Sequence, residues 1–162
     1  MTTPYTAPAG TRIGHVHLKV SDLERSVAFY RDVLGLEVMV QYGTQAAFLS
    51  AGGYHHHLGL NTWESKGGPR PARNAVGLYH TAFLFPERAD LARAFRRVVD
   101  AGVQIEGAAD HGVSEAIYLS DPDGNGIELY RDRPQEDWPR DAEGQLRMVN
   151  ERLDLEALLT LA

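Results

Sequence analysis

The chain of 162 residues contains no cysteine. Disulfide bonds and thiolate metal sites are therefore excluded, and histidine, aspartate and glutamate remain as the strong metal ligands. No apolar run approaches the ~20 residues that a membrane-spanning helix needs. The chain also has no excess of positive charge, because 22 acidic residues against 16 basic ones give a formal net charge of −6. Such a chain lacks the clustered basic face of a nucleic-acid-binding protein.

The amino terminus, MTTPYTAPAGTR, has no charged segment followed by an apolar core, and so it does not resemble a secretory signal peptide. Cytoplasmic localisation is the expectation that remains. The length suits one compact domain with a substantial core. Residues 1–10 are interpreted as an N-terminal extension of that domain.

Histidine is unevenly distributed along the chain. Three of the seven histidines are consecutive, at positions 55–57 in GGYHHHLGLNTW. Adjacent residues of a strand point to opposite faces, so the three cannot all serve one site. Their role therefore depends on where the other histidines lie, which are His15, His17, His80 and His111.

An internal repeat relates the two halves of the chain. HVHLKVSDLERSVAFYRDVLGLEV, from His15, aligns with HTAFLFPERADLARAFRRVVDAGVQI, from His80. Each stretch starts with short alternating apolar residues and continues as an amphipathic helix that ends at a glycine. Ser21 or Asp22 caps the first helix, with Glu24 placed to complete a capping box. The apolar stripes are Leu23, Val27, Tyr30 and Leu34 before Gly35, and Leu91, Ala94, Phe95 and Val98 before Gly102.

Three strand-like segments follow each helix, separated by turn signals such as DPDGNG. The pattern predicts an α+β fold of two βαβββ modules, residues 11–64 and 77–132. A linker rich in glycine, proline and charge joins them at 65–76. Residues 133–162 are interpreted as a C-terminal tail, whose end forms a short helix over a cavity or a partner subunit.

His15 and His80 occupy equivalent positions, because each opens the first strand of its module. Equivalent positions in a two-fold repeat converge on one axis, so the two imidazoles are expected to meet there. Glu128 lies near the end of the last strand, and its counterpart in the first module is Gly59. Two histidines and one carboxylate, with one face of the metal open, form the facial triad of non-haem Fe(II) oxygenases. The alternative is a structural role for the histidines and a strand bulge at Gly59.

Residues 11–132 resemble the vicinal oxygen chelate superfamily and, within it, the type I extradiol (catechol-cleaving) dioxygenases. GHVHLKVSDLERSVAFYRDVLGL is similar to the opening signature of the superfamily. HGVSEAIYLSDPDGNGIELY resembles the extradiol signature, in which a histidine, an aliphatic–Tyr pair, D-P-x-G and a glutamate follow in order. The chain has one pair of modules and so resembles a single-domain member. The resemblance implies one domain with a curved mixed sheet around the metal site.

The resemblance also implies the roles of individual residues. The metal ligands fall on His15, His80 and Glu128, with Fe(II) as the metal. The residues that hydrogen-bond the substrate oxygens fall on His111 and Tyr118. His17, two residues after the first ligand, is interpreted as a packed residue of the same strand face.

The acid/base histidine of the family lies in a stretch of the type His-His-x-Leu-Ala, which matches HHHLGL with His56 as that residue. Strict strand alternation through Gly59 would instead direct His55 and His57 to the metal face. A β-bulge would reconcile the two patterns. His56 is therefore the first candidate and His57 the second, and the alternative is a strand of exposed histidines without chemistry.

The implied reaction is the Fe(II)-dependent insertion of O2 into the ring of a catechol-type diol, beside the two hydroxyls, which gives a hydroxymuconic semialdehyde-type product. His56 would take up a substrate proton and return it, since an imidazole titrates near neutral pH. The expected partners are the aromatic diol, O2 and further copies of the chain in a homo-oligomer, without nucleic acid or membrane.

Three other functions fit the same fold. A fosfomycin-resistance thiol transferase has a similar triad, usually with Mn(II), but needs neither the histidine triplet nor His111. Glyoxalase I uses four protein ligands, and Gly59 supplies none. A non-catalytic drug-binding protein of this fold dispenses with the metal triad, which is intact here.

Overall fold

The computed structural model describes residues 4–162, so Met1–Thr3 of the predicted N-terminal extension lie outside the described residues. The strands are β1 (Val16–Lys19), β2 (Glu37–Tyr42), β3 (Ala46–Ser50), β4 (Leu58–Asn61), β5 (Thr81–Leu84), β6 (Ile105–Asp110), β7 (Ser114–Ser120), β8 (Gly126–Asp132) and β9 (Glu151–Arg152). The helices are α1 (Leu23–Ala28), a π-helix (Phe29–Val33), α2 (Arg88–Asp100), a 3₁₀ helix (Gln135–Asp137) and α3 (Leu155–Leu159).

The strands form two sheets with the same internal order. Sheet A has four strands in the order β1-β4-β3-β2, and sheet B has five in the order β5-β8-β7-β6-β9. In each sheet the first and last strands of a module are parallel neighbours, and the other pairs are antiparallel. The predicted α+β fold of two βαβββ modules is therefore confirmed, with its strands divided between two sheets.

The strand register supports the equivalences read from the repeat. His17 lies opposite Gly59 in sheet A, and Ala82 lies opposite Glu128 in sheet B. Gly59 and Glu128 therefore occupy equivalent positions, as predicted. The two histidines that open the modules come directly before β1 and β5.

Both predicted helices are present, and each begins at a cap. Asp22 caps α1 by accepting a hydrogen bond from the Arg25 backbone N–H at 3.0 Å. Glu87 and Asp90 form a reciprocal capping box at the start of α2. Both apolar stripes enter one core that residues of both modules share. Amphipathic helical spacing thus predicted the packed faces correctly.

The turn between β7 and β8 holds the two modules together. Asp123 accepts hydrogen bonds from the Ser21 backbone N–H at 3.0 Å and the Ser21 hydroxyl at 2.5 Å, and it pairs with Arg25 at 2.5 Å. The buried Tyr30 hydroxyl donates to Asp121 at 3.0 Å. The DPDGNG turn of the second module therefore anchors helix α1 and the π-helix of the first.

The surroundings at this junction shift the pKa values of Asp123 and Tyr30. Burial acts to raise the pKa of Asp123, but the hydrogen bonds from Ser21 and the charge of Arg25 outweigh it, and the pKa lies below its usual range. Burial, together with the Asp121 carboxylate, raises the pKa of Tyr30, so its hydroxyl stays protonated and donates.

Residues 133–162 pack against the second module. Strand β9 pairs antiparallel with β6, and helix α3 lies against α2. Leu153 and Leu158 of this segment are buried in the common core. The predicted short terminal helix is thus present, and it belongs to the packed structure of the second module. None of the helices in residues 4–162 combines the length and the apolar composition that a membrane crossing requires.

We expect Asp123→Ala to lower the free energy of unfolding by about 2 kcal/mol or more, because Ser21 and Arg25 lose their shared acceptor. A carboxyl whose pKa folding lowers contributes stability above ~pH 4 and loses it as pH falls through the folded value. The difference from wild type, measured by urea unfolding, should therefore shrink as pH falls below ~4. Asp100→Ala, at the exposed end of α2, is the control and should change stability little. Equal stability of the Asp123 variant and wild type at pH 7 would contradict this account of the junction.

Candidate metal and active site

Four of the six predicted site residues are linked by successive side-chain contacts on sheet B. The Nε2 atom of His80 lies 2.9 Å from Oε2 of Glu128. The other carboxylate oxygen, Oε1, accepts a hydrogen bond from the Tyr118 hydroxyl at 3.1 Å. The Tyr118 oxygen in turn lies 2.8 Å from Nε2 of His111. The structure therefore brings together His80, Glu128, Tyr118 and His111.

Strand pairing explains this arrangement. Tyr118 on β7 lies directly opposite Glu128 on β8, and directly opposed residues share one face of a sheet. His80 comes immediately before β5, the parallel neighbour of β8. His111 closes the turn after β6, where its backbone N–H donates to the Ser114 carbonyl at 2.8 Å.

The Tyr118 phenol is protonated at neutral pH. Burial raises its pKa to about 12, and the charge of Glu128 and the hydrogen bond to that carboxylate act in the same direction. A phenol with so high a pKa is a hydrogen-bond donor throughout the physiological range.

The donors on sheet B fit a divalent cation. The Glu128 side chain is only 13% exposed, and among residues 4–162 no Lys or Arg forms an ion pair with it. A partly buried carboxylate is stable only when a cation or hydrogen bonds compensate its charge. The His80 nitrogen and the Glu128 oxygen, 2.9 Å apart, lie close enough together that both would bind one ion.

The other two predicted residues meet on sheet A. The ring centroids of His15 and His56 are 4.4 Å apart, and the Phe48 ring lies 5.0 Å from that of His56. Burial lowers the pKa of His56, and the neighbouring His15 lowers it further. The first candidate for acid/base chemistry thus lies beside the predicted metal ligand of the first module.

The other two members of the triplet have different partners. The Nδ1 atom of His57 lies 3.0 Å from the Ser50 hydroxyl and accepts from the Ala51 backbone N–H at 3.3 Å. His55 contacts His56, with their Nδ1 atoms 2.8 Å apart. Strand β4 begins only at Leu58 and pairs with β3 in continuous register. The expected conflict with strand alternation disappears without a bulge, because His56 precedes the strand.

His17 is a packed residue, as expected, but the sequence did not indicate which residue it packs against. Its ring covers Gly59, where a Cβ would lie 2.8 Å from the His17 Cγ atom. The His17 Nε2 atom is 3.0 Å from Nδ2 of Asn61, whose Oδ1 accepts from the Trp63 backbone N–H at 3.2 Å. The position equivalent to Glu128 is thus filled by an imidazole. The contact between His17 and Gly59 could have been inferred from the pairing of β1 with β4, because that pairing places the two residues side by side.

The predicted triad is not assembled within one chain. Among residues 4–162 no group of three or more His, Asp or Glu side chains is close enough to hold a metal ion. His15 precedes an edge strand of sheet A, whereas His80 and Glu128 lie on sheet B. The structure therefore contains two half-sites, His15 with His56 and His80 with Glu128, Tyr118 and His111.

Residues 12–129 match the family described as the Glyoxalase/Bleomycin resistance protein/Dioxygenase superfamily. The chain belongs to this superfamily. The match spans both modules and includes all of the predicted site residues.

Curated members of the superfamily resemble the chain to different degrees. A catechol-2,3-dioxygenase of Bacillus subtilis is 46% identical over 149 residues, which are 92% of this chain and 51% of that protein. A biphenyl-2,3-diol 1,2-dioxygenase of Rhodococcus globerulus is 35% identical over 75% of this chain and 63% of its own length. The metallothiol transferase FosB of Staphylococcus saprophyticus is 33% identical over 73% of this chain and 75% of its own length. The chain spans about half the length of the Bacillus relative.

A glyoxalase/dioxygenase from Nostoc punctiforme has the same fold, with a TM-score of 0.66 over 83% of this chain and all of that one. Its identity to this chain is 23%, so the likeness establishes the fold alone. The superfamily fold of paired βαβββ modules is thereby confirmed for this chain.

Gly59→Ala should reduce stability by about 1–3 kcal/mol, since the new methyl group must displace the His17 ring from Asn61. Urea unfolding measures this change. Gly107→Ala is the matched control on strand β6, because a Cβ there meets only Tyr118 Cδ2 at an ordinary 3.7 Å. His17→Ala combined with Gly59→Ala should regain most of the loss. Wild-type stability of Gly59→Ala alone would show that the contact with His17 does not restrict this position.

Proposed function

We propose that this protein is an extradiol dioxygenase that uses Fe(II) to insert O2 into the ring of a catechol-type aromatic diol. The observation that carries the proposal is the series of side-chain contacts from His80 through Glu128 and Tyr118 to His111. It joins two metal donors directly to two groups able to hold a substrate oxygen. The likeness to a catechol-2,3-dioxygenase supports the same reaction.

His15, His80 and Glu128 would hold the metal. Bound there, Fe(II) would supply open positions for the diol oxygens and for O2, and would lower the pKa of the diol. The donor set of two imidazoles and one carboxylate is that of the facial triad. Gly59 leaves the fourth protein position without a ligand atom.

Tyr118 and His111 would hold the substrate oxygens and stabilise the charge that develops on them. Tyr118 is suited to this task because its raised pKa keeps the hydroxyl proton available for donation. The hydrogen bond from Tyr118 to Glu128 holds the phenol beside the metal donors, and His111 contacts the phenol oxygen from the other side. Removal of either group should therefore slow turnover more than it weakens metal binding.

His56 would act as the acid/base group. Its lowered pKa favours the neutral imidazole at pH 7, which is the form that accepts a proton. It would take the second proton of the diol and return it as the ring opens. Both atoms of O2 enter the product, so the reaction needs no reductant other than the diol.

The alternative function is a Mn(II)-dependent thiol transferase, which the likeness to FosB supports. The metal donors do not discriminate between the two reactions. The contact of His111 with Tyr118 and that of His56 with His15 favour the dioxygenase, because a thiol transfer has no need for these histidines. The identity of the diol and cytoplasmic localisation stay predictions.

A second copy of the chain would complete the site by supplying His15 to His80 and Glu128. Strands β1 and β5 lie at the edges of their sheets, and the His15 and His80 side chains come directly before them. Unpaired edges are normally covered in native proteins. Apolar side chains that border the two edges are exposed, namely Ile13, Leu78, Tyr79 and Leu84.

A two-fold axis would place the β1 edge of one copy beside the β5 edge of the other, and would do so twice. Each dimer would then contain two complete sites. The exposed apolar side chains would be buried in the same interface. Assembly and completion of the metal site are therefore one event in this proposal.

The metal ligands and the acid/base residue should behave differently when they are replaced. His15→Ala, His80→Ala and Glu128→Ala should lose iron and ring cleavage together. His56→Phe should retain iron but lower turnover by roughly 100-fold or more, as loss of an acid/base group does. Iron analysis and the absorbance of ring-fission products from a catechol panel measure both effects. His57→Phe is the matched comparison, because His57 faces Ser50 and Ala51, and it should stay close to wild type if His56 is the acid/base residue. Normal iron content in the three ligand variants would refute the assignment.

Mixing two inactive variants tests whether the site is shared between copies. His15→Ala and Glu128→Ala, dissociated and reassembled together in equal amounts, should regain about 0.25 metal ion per chain. Half of the dimers are then mixed, and each mixed dimer has one intact site out of two. His80→Ala mixed with Glu128→Ala is the control, and it should regain none because both changes remove the same half-site. No recovery in the first mixture, with dimers present by light scattering, would show that one chain completes its own site.

A further inference from the structure

The backbone of the C-terminal segment holds His111 on both sides. The His111 carbonyl accepts a hydrogen bond from the Val149 backbone N–H at 3.0 Å. The His111 ring atom Nδ1 lies 3.1 Å from the Val149 carbonyl oxygen. A carbonyl oxygen only accepts hydrogen bonds, so Nδ1 must carry a proton and donate it. Val149 thus fixes the position of this histidine and keeps a proton on its Nδ1 atom.

The orientation of the ring determines which of its atoms faces the site. With Nδ1 engaged by the Val149 carbonyl, Nε2 is the ring atom directed at the Tyr118 hydroxyl, 2.8 Å away. A 180° flip of the ring would exchange nitrogen and carbon at both contacts and lose both hydrogen bonds. The orientation of His111 toward the site therefore depends on a residue that lies 38 positions later in the chain.

Neighbouring contacts hold Val149 in place. Strand β9 begins two residues later and pairs with the end of β6, which directly precedes His111. On the other side, Gly112 packs against Pro139 and Val149, where a Cβ at position 112 would lie 2.7 Å from the Pro139 Cγ atom. The Arg147 backbone N–H donates to the Pro139 carbonyl at 2.8 Å and closes the loop. Residues 139–152 therefore form a braced loop against the turn that carries His111.

We propose that residues 139–152 are a positioning element of the active site, with Val149 as the positioning residue that orients His111 toward Tyr118. The catalytic consequence rests on the proposed dioxygenase function, whereas the effect on the His111 ring does not. Loss of the Val149 contacts should lower kcat by roughly 10- to 100-fold, as loss of an outer hydrogen-bond partner does at metal sites. KM and iron content should change much less, because Val149 contacts His111 and none of the proposed metal ligands.

Val149→Pro tests the proposal, because proline lacks the N–H that the His111 carbonyl accepts. Val149→Ala is the matched control, since it shortens the side chain and keeps both backbone contacts. The ¹⁵N resonances of the His111 ring, measured in the full chain without paramagnetic iron, report which ring nitrogen carries a proton. The resonances that disappear in His111→Gln are those of His111. Wild type and Val149→Ala should show protonated Nδ1, whereas Val149→Pro should lose this pattern and show the fall in kcat.

A second pair of variants distinguishes loss of the Val149 contacts from the general loss of structure that a proline can cause. Gly112→Ala places a methyl group against Pro139 and Val149 and should shift the His111 resonances and lower kcat. Gly144→Ala is the control, because its φ of +79° is close to the +75° of Gly112 while no atom lies within 4 Å of the added Cβ. Adding Pro139→Ala to Gly112→Ala should partly restore kcat and the His111 resonances, because it removes the ring that the new methyl group meets.

The two proposals fail in different ways. Unchanged His111 resonances and kcat in both Val149→Pro and Gly112→Ala would overturn the positioning role. Shifted resonances in both variants, in a protein that cleaves no diol even as wild type, would support the positioning role and refute the dioxygenase function.

Discussion

The Glu128 carboxylate is the group on which the rest of the site depends. It is largely buried, it lies beside a histidine, it pairs with no Lys or Arg among residues 4–162, and its two oxygens face different partners. One oxygen faces His80 and is placed to share a cation with it. The other accepts from Tyr118, whose pKa is raised by burial and further by this carboxylate, and Tyr118 in turn contacts His111. A single buried charge thus organises both the metal donors and the groups that would hold substrate.

The two modules have the same fold but contribute different chemistry. The position of Glu128 in the second module is a glycine in the first, and the space above Gly59 is occupied by the His17 ring. Because that ring is held by the buried Asn61, the first module has a closed wall where the second has a ligand. The first module therefore offers His15 and the adjacent His56, and in the proposed function a combination of unlike modules would give the metal site an open face.

Much of this could be predicted from the sequence because the pattern is local and occurs twice. Helical spacing and the capping residues gave the modules, and the alignment of His15 with His80 gave the equivalence of Gly59 and Glu128. The start of β4 after His57, which decides how His56 is directed, is a boundary too fine for periodicity. The contacts of Asp123 with Ser21 and of Val149 with His111 join residues 102 and 38 positions apart. No periodic pattern marks such pairs, so neither the module junction nor the support of His111 was predictable.

The junction and the split triad are related. Asp123 and Asp121 bind helix α1 and the π-helix to the second module, while β1 and β5 lie at the edges of separate sheets. Association of two chains would join these edges and leave those hydrogen bonds intact. In the proposed dimer, a metal that binds only the completed site must stabilise the dimer by the same free energy with which dimerisation strengthens metal binding. Metal content would then depend on protein concentration, a coupling that a site built within one chain does not have.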